Sequence, residues 1–145
     1  MKTNTRVGWI LVTGFLALGL LYVFQRFSIG GQVYSSLGLT PNDNSIFIIN
    51  KTIRLIANDV VCCWMIFMIF ESASYRRVAL GVFVVELFVV LPIYFLLKLN
   101  LEGASEISSP LLSFIHRLIV NPMLMVLTGI ALAYQKFIFP TLPKS

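Results

Sequence analysis

The sequence predicts an all-α integral membrane protein with four transmembrane helices. Of its 145 residues, 58% are hydrophobic and only 12% are charged, which is not the composition of an ordinary soluble domain. The apolar residues form four long segments separated by polar turns, and a membrane-spanning helix takes about 20 residues. We therefore expect a single membrane domain over residues 1–145, with no room for a soluble catalytic domain.

The first predicted span covers residues 7–24. It follows the short basic segment MKTNTR and contains no charged residue. A basic start and the later sequence Ser28-Ile29-Gly30 are also features of a signal peptide. However, the apolar run is longer than the roughly 7–15 residues of a signal-peptide core, so we interpret it as a retained helix. Cleavage after this segment is the alternative.

An outer loop is predicted over residues 27–52, and the second span over residues 53–70. Glycines, a proline and a polar cluster make the first part of the loop, residues 27–45, typical of turns, and Asn44 or Ser45 can cap a helix that begins near residue 46. Asn50, Arg54 and Asn58 follow at intervals of four. We expect an amphipathic helix segment on the outer side that leads into the second span.

The third span is predicted over residues 78–97 and the fourth over residues 111–134. A basic turn with Arg76 and Arg77 precedes the third span, which is interrupted by Pro92. Ser109-Pro110 provides an N-cap residue and a first-turn proline for the fourth. Pro122 interrupts the fourth span, and both prolines are expected to kink their helices or to be accommodated by neighbouring helices.

The distribution of basic residues predicts the orientation. With four spans, both termini lie on one side of the membrane. That side would hold six basic residues: Lys2, Arg6, Arg76, Arg77, Lys136 and Lys144. The other side would hold Arg26, Lys51, Arg54 and Lys98 together with several acidic residues. The positive-inside rule therefore places both termini in the cytoplasm.

The fourth span carries a polar stripe, which consists of Ser113, His116, Arg117 and Asn121. Ser113, Arg117 and Asn121 recur every fourth residue and share one helix face, and His116 lies beside it. A charged residue inside a membrane helix costs roughly 2.5–3.5 kcal/mol on insertion scales. The polar stripe must therefore face protein or water rather than lipid.

Asn58, Asp59 and Glu86 complete a predicted intramembrane polar cluster with this stripe. Counting residues from the outer surface at 1.5 Å each places Asp59 at the depth of Arg117, and Glu86 at the depth of Asn121. We expect these two pairs to form. The cluster can be structural, holding helices in register, or it can be a functional cavity that opens outward. The sequence does not decide between the two.

Other chemistry is weakly indicated. Cys62 and Cys63 are adjacent and cannot bridge each other, and an apolar packing role is favoured over a nucleophilic one. One histidine and two adjacent cysteines do not make a tetrahedral metal site. We therefore expect no metal and no cofactor. We also expect no nucleic acid as a ligand, because the basic residues lie mostly at the ends of the spans.

One family resemblance rests on the fourth span. The segment LLSFIHRLIVNPMLM at residues 111–125, followed by Tyr134-Gln135, resembles the signature of the exosortase F system-associated membrane proteins of Bacteroidota. The segments at residues 50–59 and 91–100 are also similar, so the resemblance covers roughly residues 46–136. It implies a short multi-span protein of the bacterial inner membrane that is associated with an exosortase-type transpeptidase and has no characterised activity of its own.

The resemblance does not carry over a catalytic site. Exosortases use Cys, Arg and His within membrane helices, but Cys62-Cys63-Trp64 does not match the context of their cysteine. We therefore expect a non-catalytic accessory subunit of a membrane protein-sorting system, which docks on a larger exosortase-like membrane protein. The alternatives are a membrane enzyme that uses His116 and Arg117, and a small homo-oligomeric transporter built on Glu86 and Asp59.

Overall fold

The computed structural model describes residues 2–24, 29–36, 38, 40, 42–104 and 109–138. Within these residues every element of regular secondary structure is a helix, which confirms the predicted all-α class. Three helical stretches are long and apolar enough to cross a membrane, and a fourth results if one bent helix pair is counted as a single span. This pattern is typical of a multi-pass membrane protein.

The first long helix is α1 (Lys2–Phe24), and a short helix, α2 (Ile29–Ser36), follows it. The sequence indicated a loop in the region of α2, so that part of the prediction is wrong. The short helix is held by a tertiary contact: the backbone N–H of Gly30 donates to Asn50 Oδ1 over 2.7 Å. A side chain at position 30 would come within 3.1 Å of the same oxygen, which explains why a glycine occurs there.

The central helix is α3 (Asp43–Ile69), which unites the predicted amphipathic segment and the second span in one continuous helix. Its N-cap is Asn42, whose side chain accepts a hydrogen bond from the N–H of Asn44. This N-cap lies two to three residues before the predicted caps, Asn44 and Ser45. At its other end, the guanidinium of Arg76 donates to the carbonyls of Phe70 and Phe67 at 3.4 Å. The basic turn thus supplies donors for the last carbonyls of α3.

The third predicted span lies inside a continuous helical stretch of three parts: α4 (Ala73–Val85), a π-helix (Glu86–Val90) and α5 (Leu91–Leu101). Pro92 lies in the first turn of α5, where a missing N–H costs least, directly after the widened π-turn. The stretch ends at Glu102, and Gly103 follows with a positive φ of 69°. A residue in this left-handed region commonly terminates a helix.

The fourth predicted span consists of two helices, α6 (Pro110–Val120) and α7 (Met123–Ile138), which meet at an angle of 53°. Asn121 and Pro122 lie at the break, and Asn121 has an extended backbone conformation. Ser109 occupies the N-cap position of α6 and Pro110 its first turn, as the sequence predicts.

Two apolar clusters hold the helices together, and α3 contributes to both. One joins α3 to α4 and α7 through Cys62, Ile66, Ala79, Met125 and Leu132 among others. The other joins α3 to α5 through Phe47, Leu55, Leu91 and Tyr94. Along α3, Asn58 and Asp59 lie between the two clusters, after Leu55 and before Cys62.

Candidate functional site

The most buried polar feature is a pair of carboxyl groups from α3 and the π-helix. Asp59 is 2% exposed and Glu86 is 3% exposed, and the two carboxyl groups lie within interaction range of each other. The π-helix begins at Glu86, so the carboxyl lies where the helix widens. We call Asp59 and Glu86 the carboxyl pair.

Each member of the carboxyl pair has a buried oxygen without a hydrogen-bond partner in the described part of the chain. Asp59 Oδ2 and Glu86 Oε2 are buried and have no hydrogen-bond partner among the described residues. Leaving a buried polar atom unsatisfied costs about 1–3 kcal/mol, so such atoms usually have a specific reason.

A second polar contact lies between α5 and α6. The Tyr94 hydroxyl and His116 Nδ1 are 2.6 Å apart, and the two rings are 5.6 Å apart at a tilt of 44°. Tyr94 is 1% exposed, so its hydroxyl depends on this partner. The contact fixes the orientation of the imidazole toward α5.

Basic residues from three helices surround His116. Lys51 and Arg54 of α3, Lys98 of α5 and Arg117 of α6 all lie within electrostatic range of the imidazole. Lys51 is 8% exposed, and its ammonium lies 5.4 Å from the centre of the Phe47 ring. This end of the helix bundle is therefore strongly cationic.

One acidic residue balances part of this charge. Glu102 accepts from Lys98 Nζ over 2.7 Å and from the backbone N–H of Ser109 over 2.7 Å. These hydrogen bonds lower the pKa of Glu102 to about 2, and the hydrogen bond from Lys98 has the largest effect. The carboxylate thereby ties the end of α5 to the start of α6.

The structure brings the predicted polar cluster together in a different arrangement from the one expected. Asp59 contacts Glu86 and forms no ion pair with Arg117, whose side chain is exposed. Glu86 accordingly contacts Asp59 rather than Asn121. The depth count assumed regular α-helices, but α6 ends before Asn121, and a π-turn changes the direction of the side chains on the third span.

The other predicted site residues lie around these contacts. Asn58 is buried on α3, next to the carboxyl pair, while Ser113 and Asn121 are half-buried on and after α6. Sequence reasoning did not assign Tyr94 or Lys98 to the site. The i, i+4 spacing of Lys98 and Glu102 was an available signal for their ion pair.

The cysteines lie in an apolar environment. Cys62 and Cys63 are both buried and unbridged, and they belong to the apolar cluster of α3, α4 and α7. Among the described residues, no group of three or more His, Cys, Asp or Glu side chains could hold a metal ion.

An apolar cavity of about 270 Å³ lies between α1, α3 and α7. Its lining includes Phe15, Met65, Ile66 and Met125, and all its described lining residues are apolar or glycine. It offers no polar group that could orient a ligand.

Comparison with known proteins returns no match: no family model, no curated protein and no solved structure is similar to this chain.

Proposed function

We propose that this chain is a non-catalytic accessory subunit of a membrane protein-sorting system, and that the polar stripe of α6 docks it on a larger membrane protein. The resemblance of residues 111–125 to exosortase F system-associated proteins supports the choice of system. The observation that carries the docking proposal is the exposure of Arg117.

Arg117 lies in a position that lipid would not tolerate. It is the eighth residue of α6 and therefore about 10 Å along the helix, yet its side chain is exposed. Asp59, the partner that the sequence suggested, interacts with Glu86 instead. An acceptor from a second protein would satisfy the guanidinium, which is what intramembrane arginines usually require.

The charge around the stripe indicates the chemistry of the partner. Four basic residues from α3, α5 and α6 lie near His116. The α5–α6 connection contains two acidic residues, Glu102 and Glu106. When both are counted against the four basic residues, the basic residues are still in excess by two. We therefore expect the docking surface of the partner to be acidic, with a carboxylate in or near a membrane helix.

The same geometry gives less support to the enzyme alternative. His116 is engaged by Tyr94, and the described cysteines lie in an apolar cluster. A thiol nucleophile needs a nearby base or cation.

The proposal is tested by purifying the tagged chain from its native membrane in mild detergent and identifying the proteins that accompany it. We expect an exosortase-type protein with wild type and its loss with Arg117→Ala. Arg77→Ala, which removes an exposed arginine from the opposite end of the bundle, is the matched control and should retain the partner. Equal recovery with Arg117→Ala and wild type would contradict docking through the stripe, and recovery of a different membrane protein would contradict the sorting system.

A further inference from the structure

We propose that Asp59 and Glu86 form an intramembrane proton-binding site, in which the two carboxyl groups hold one proton between them. This inference concerns a ligand rather than a protein partner, and it does not rest on the docking proposal.

The carboxyl pair brings two buried carboxyl groups within interaction range of each other. An ionised carboxylate is only an acceptor, so the two groups can form a hydrogen bond with each other only if one of them carries a proton. Both groups are almost fully buried, and they come from different segments, α3 and the π-helix. Two negative charges in contact at such a site would repel each other strongly because the surroundings screen them poorly.

The neighbouring groups offer no substitute for the proton. Within the described part of the chain, no lysine, arginine or histidine forms an ion pair with Asp59 or Glu86. The thiols of Cys62 and Cys63 are the other titratable groups in range, both on α3. The basic residues near His116 therefore do not neutralise the pair, and a bound proton must reduce its charge.

The oxygens of the carboxyl pair support the same inference. Asp59 Oδ2 and Glu86 Oε2 are buried and accept from no described donor, so a proton carried by the pair itself would satisfy them. A purely structural contact would be expected to satisfy these atoms. In addition, Glu86 opens a π-helix, and single π-turns occur frequently at functional sites.

The ligand is a proton rather than a metal ion. Two carboxyl groups do not provide the three or more ligating side chains of a metal site, and the described residues contain no such group. Proton-carrying carboxyl groups inside membrane helices typically mark proton relays in transport proteins. The carboxyl pair would give an accessory subunit a means of responding to protonation.

A hydrophobic carbodiimide tests the proposal on the full chain in detergent or liposomes. Dicyclohexylcarbodiimide adds a protonated carboxyl group across its C=N bond, and the adduct rearranges to an N-acylurea with no leaving group. The mass therefore increases by one carbodiimide. We expect one adduct per chain at neutral pH, on Asp59 or Glu86, and a loss of labelling as the pH rises and the shared proton dissociates.

Two variants identify the site. Glu86→Gln should abolish labelling of Asp59, because the new amide can donate to the remaining carboxylate and no shared proton is needed. Glu71→Gln, which removes an exposed carboxyl outside the spans, should label like wild type. Unchanged labelling of Asp59 in folded Glu86→Gln would contradict the sharing of a proton.

Infrared spectroscopy of the wild type gives a readout that does not depend on how the variants fold. A protonated carboxyl group has a C=O stretch that shifts in D₂O, and we expect this band at neutral pH. The absence of both this band and the adduct from the wild-type protein would overturn the proposal.

Discussion

At the scale of single residues, the direction of each side chain decides which polar groups of the helices meet. The spacing of Ser113, Arg117 and Asn121 and the placement of Asp59 and Glu86 in apolar runs made these residues recognisable. The pairing of each carboxyl group with a donor depends on the direction of the side chains. A π-turn at Glu86 and a helix break at Asn121 change that direction. The π-turn at Glu86 has no clear sequence signal, whereas Pro122 signals the break after Asn121, where the sequence analysis expected a kink.

The Tyr94–His116 contact leads to a prediction at this scale. Tyr94→Phe keeps the ring but removes the hydroxyl, so His116 Nδ1 loses its partner. Interhelical hydrogen bonds in membranes contribute about 0.6 kcal/mol on average, and typical protein hydrogen bonds about 0.5–1.5 kcal/mol. We expect a loss of stability in this range, measured by denaturant unfolding in detergent.

Tyr22→Phe is the matched control, because Tyr22 is 69% exposed on α1. It should leave the free energy of unfolding unchanged. If both variants unfold like wild type, the contact contributes nothing to holding α5 against α6.

At the scale of helices, the number and the apolar character of the long segments followed from composition and spacing. The boundaries were less accurate: α2 replaces part of a predicted loop, and the fourth span is divided into α6 and α7. A tertiary contact decides the first case, and the local backbone restriction of a proline decides the second. Gly30 allows α2 to approach Asn50 on α3, and Pro122 cannot continue a regular helix after Asn121.

The hydrogen bonds of Glu102 predict how the α5–α6 connection responds to acid. The pKa of Glu102 is lowered from 4.5 to about 2 in the folded protein, so the stabilisation is complete above pH 4.5. This stabilisation is lost as the pH falls toward 2, because the Glu102 carboxylate is protonated at a higher pH in the unfolded state than in the folded state. We expect the difference in Tm between wild type and Glu102→Gln to be constant above pH 5 and to shrink over this interval.

Glu71→Gln provides the control for this titration, since Glu71 is exposed in the turn between α3 and α4. Its difference from wild type should show no comparable decrease. A difference for Glu102→Gln that persists unchanged down to pH 2 would show that the carboxylate does not stabilise the fold through these hydrogen bonds.

At the scale of the whole molecule, the helix directions place the basic residues as the sequence expects. Arg76 and Lys136 lie at one end of the bundle, against Phe67 and Phe70. Lys51, Arg54 and Lys98 lie toward the other end, near His116. The cytoplasmic position of both termini stays a prediction, which follows from the sequence count of six basic residues on one side and four on the other.

The exposed surfaces of α1 and α6 differ in polarity. The described part of α1 contributes mainly apolar side chains, including Trp9 and Phe15, as a helix in contact with lipid would. By contrast, α6 combines exposed apolar residues with the exposed Arg117. We therefore expect α6, and not the other exposed faces, to contact a second protein.

Site-specific photocrosslinking in native membranes tests this claim most directly. Phe114 is 61% exposed and lies three residues before Arg117 on neighbouring turns of α6, while Phe88 is 69% exposed on the π-helix. A photoreactive residue at position 114 should crosslink to one larger membrane protein, and the same residue at position 88 should not. Crosslinks to lipid alone at both positions, or equal protein crosslinks from both, would contradict docking through α6.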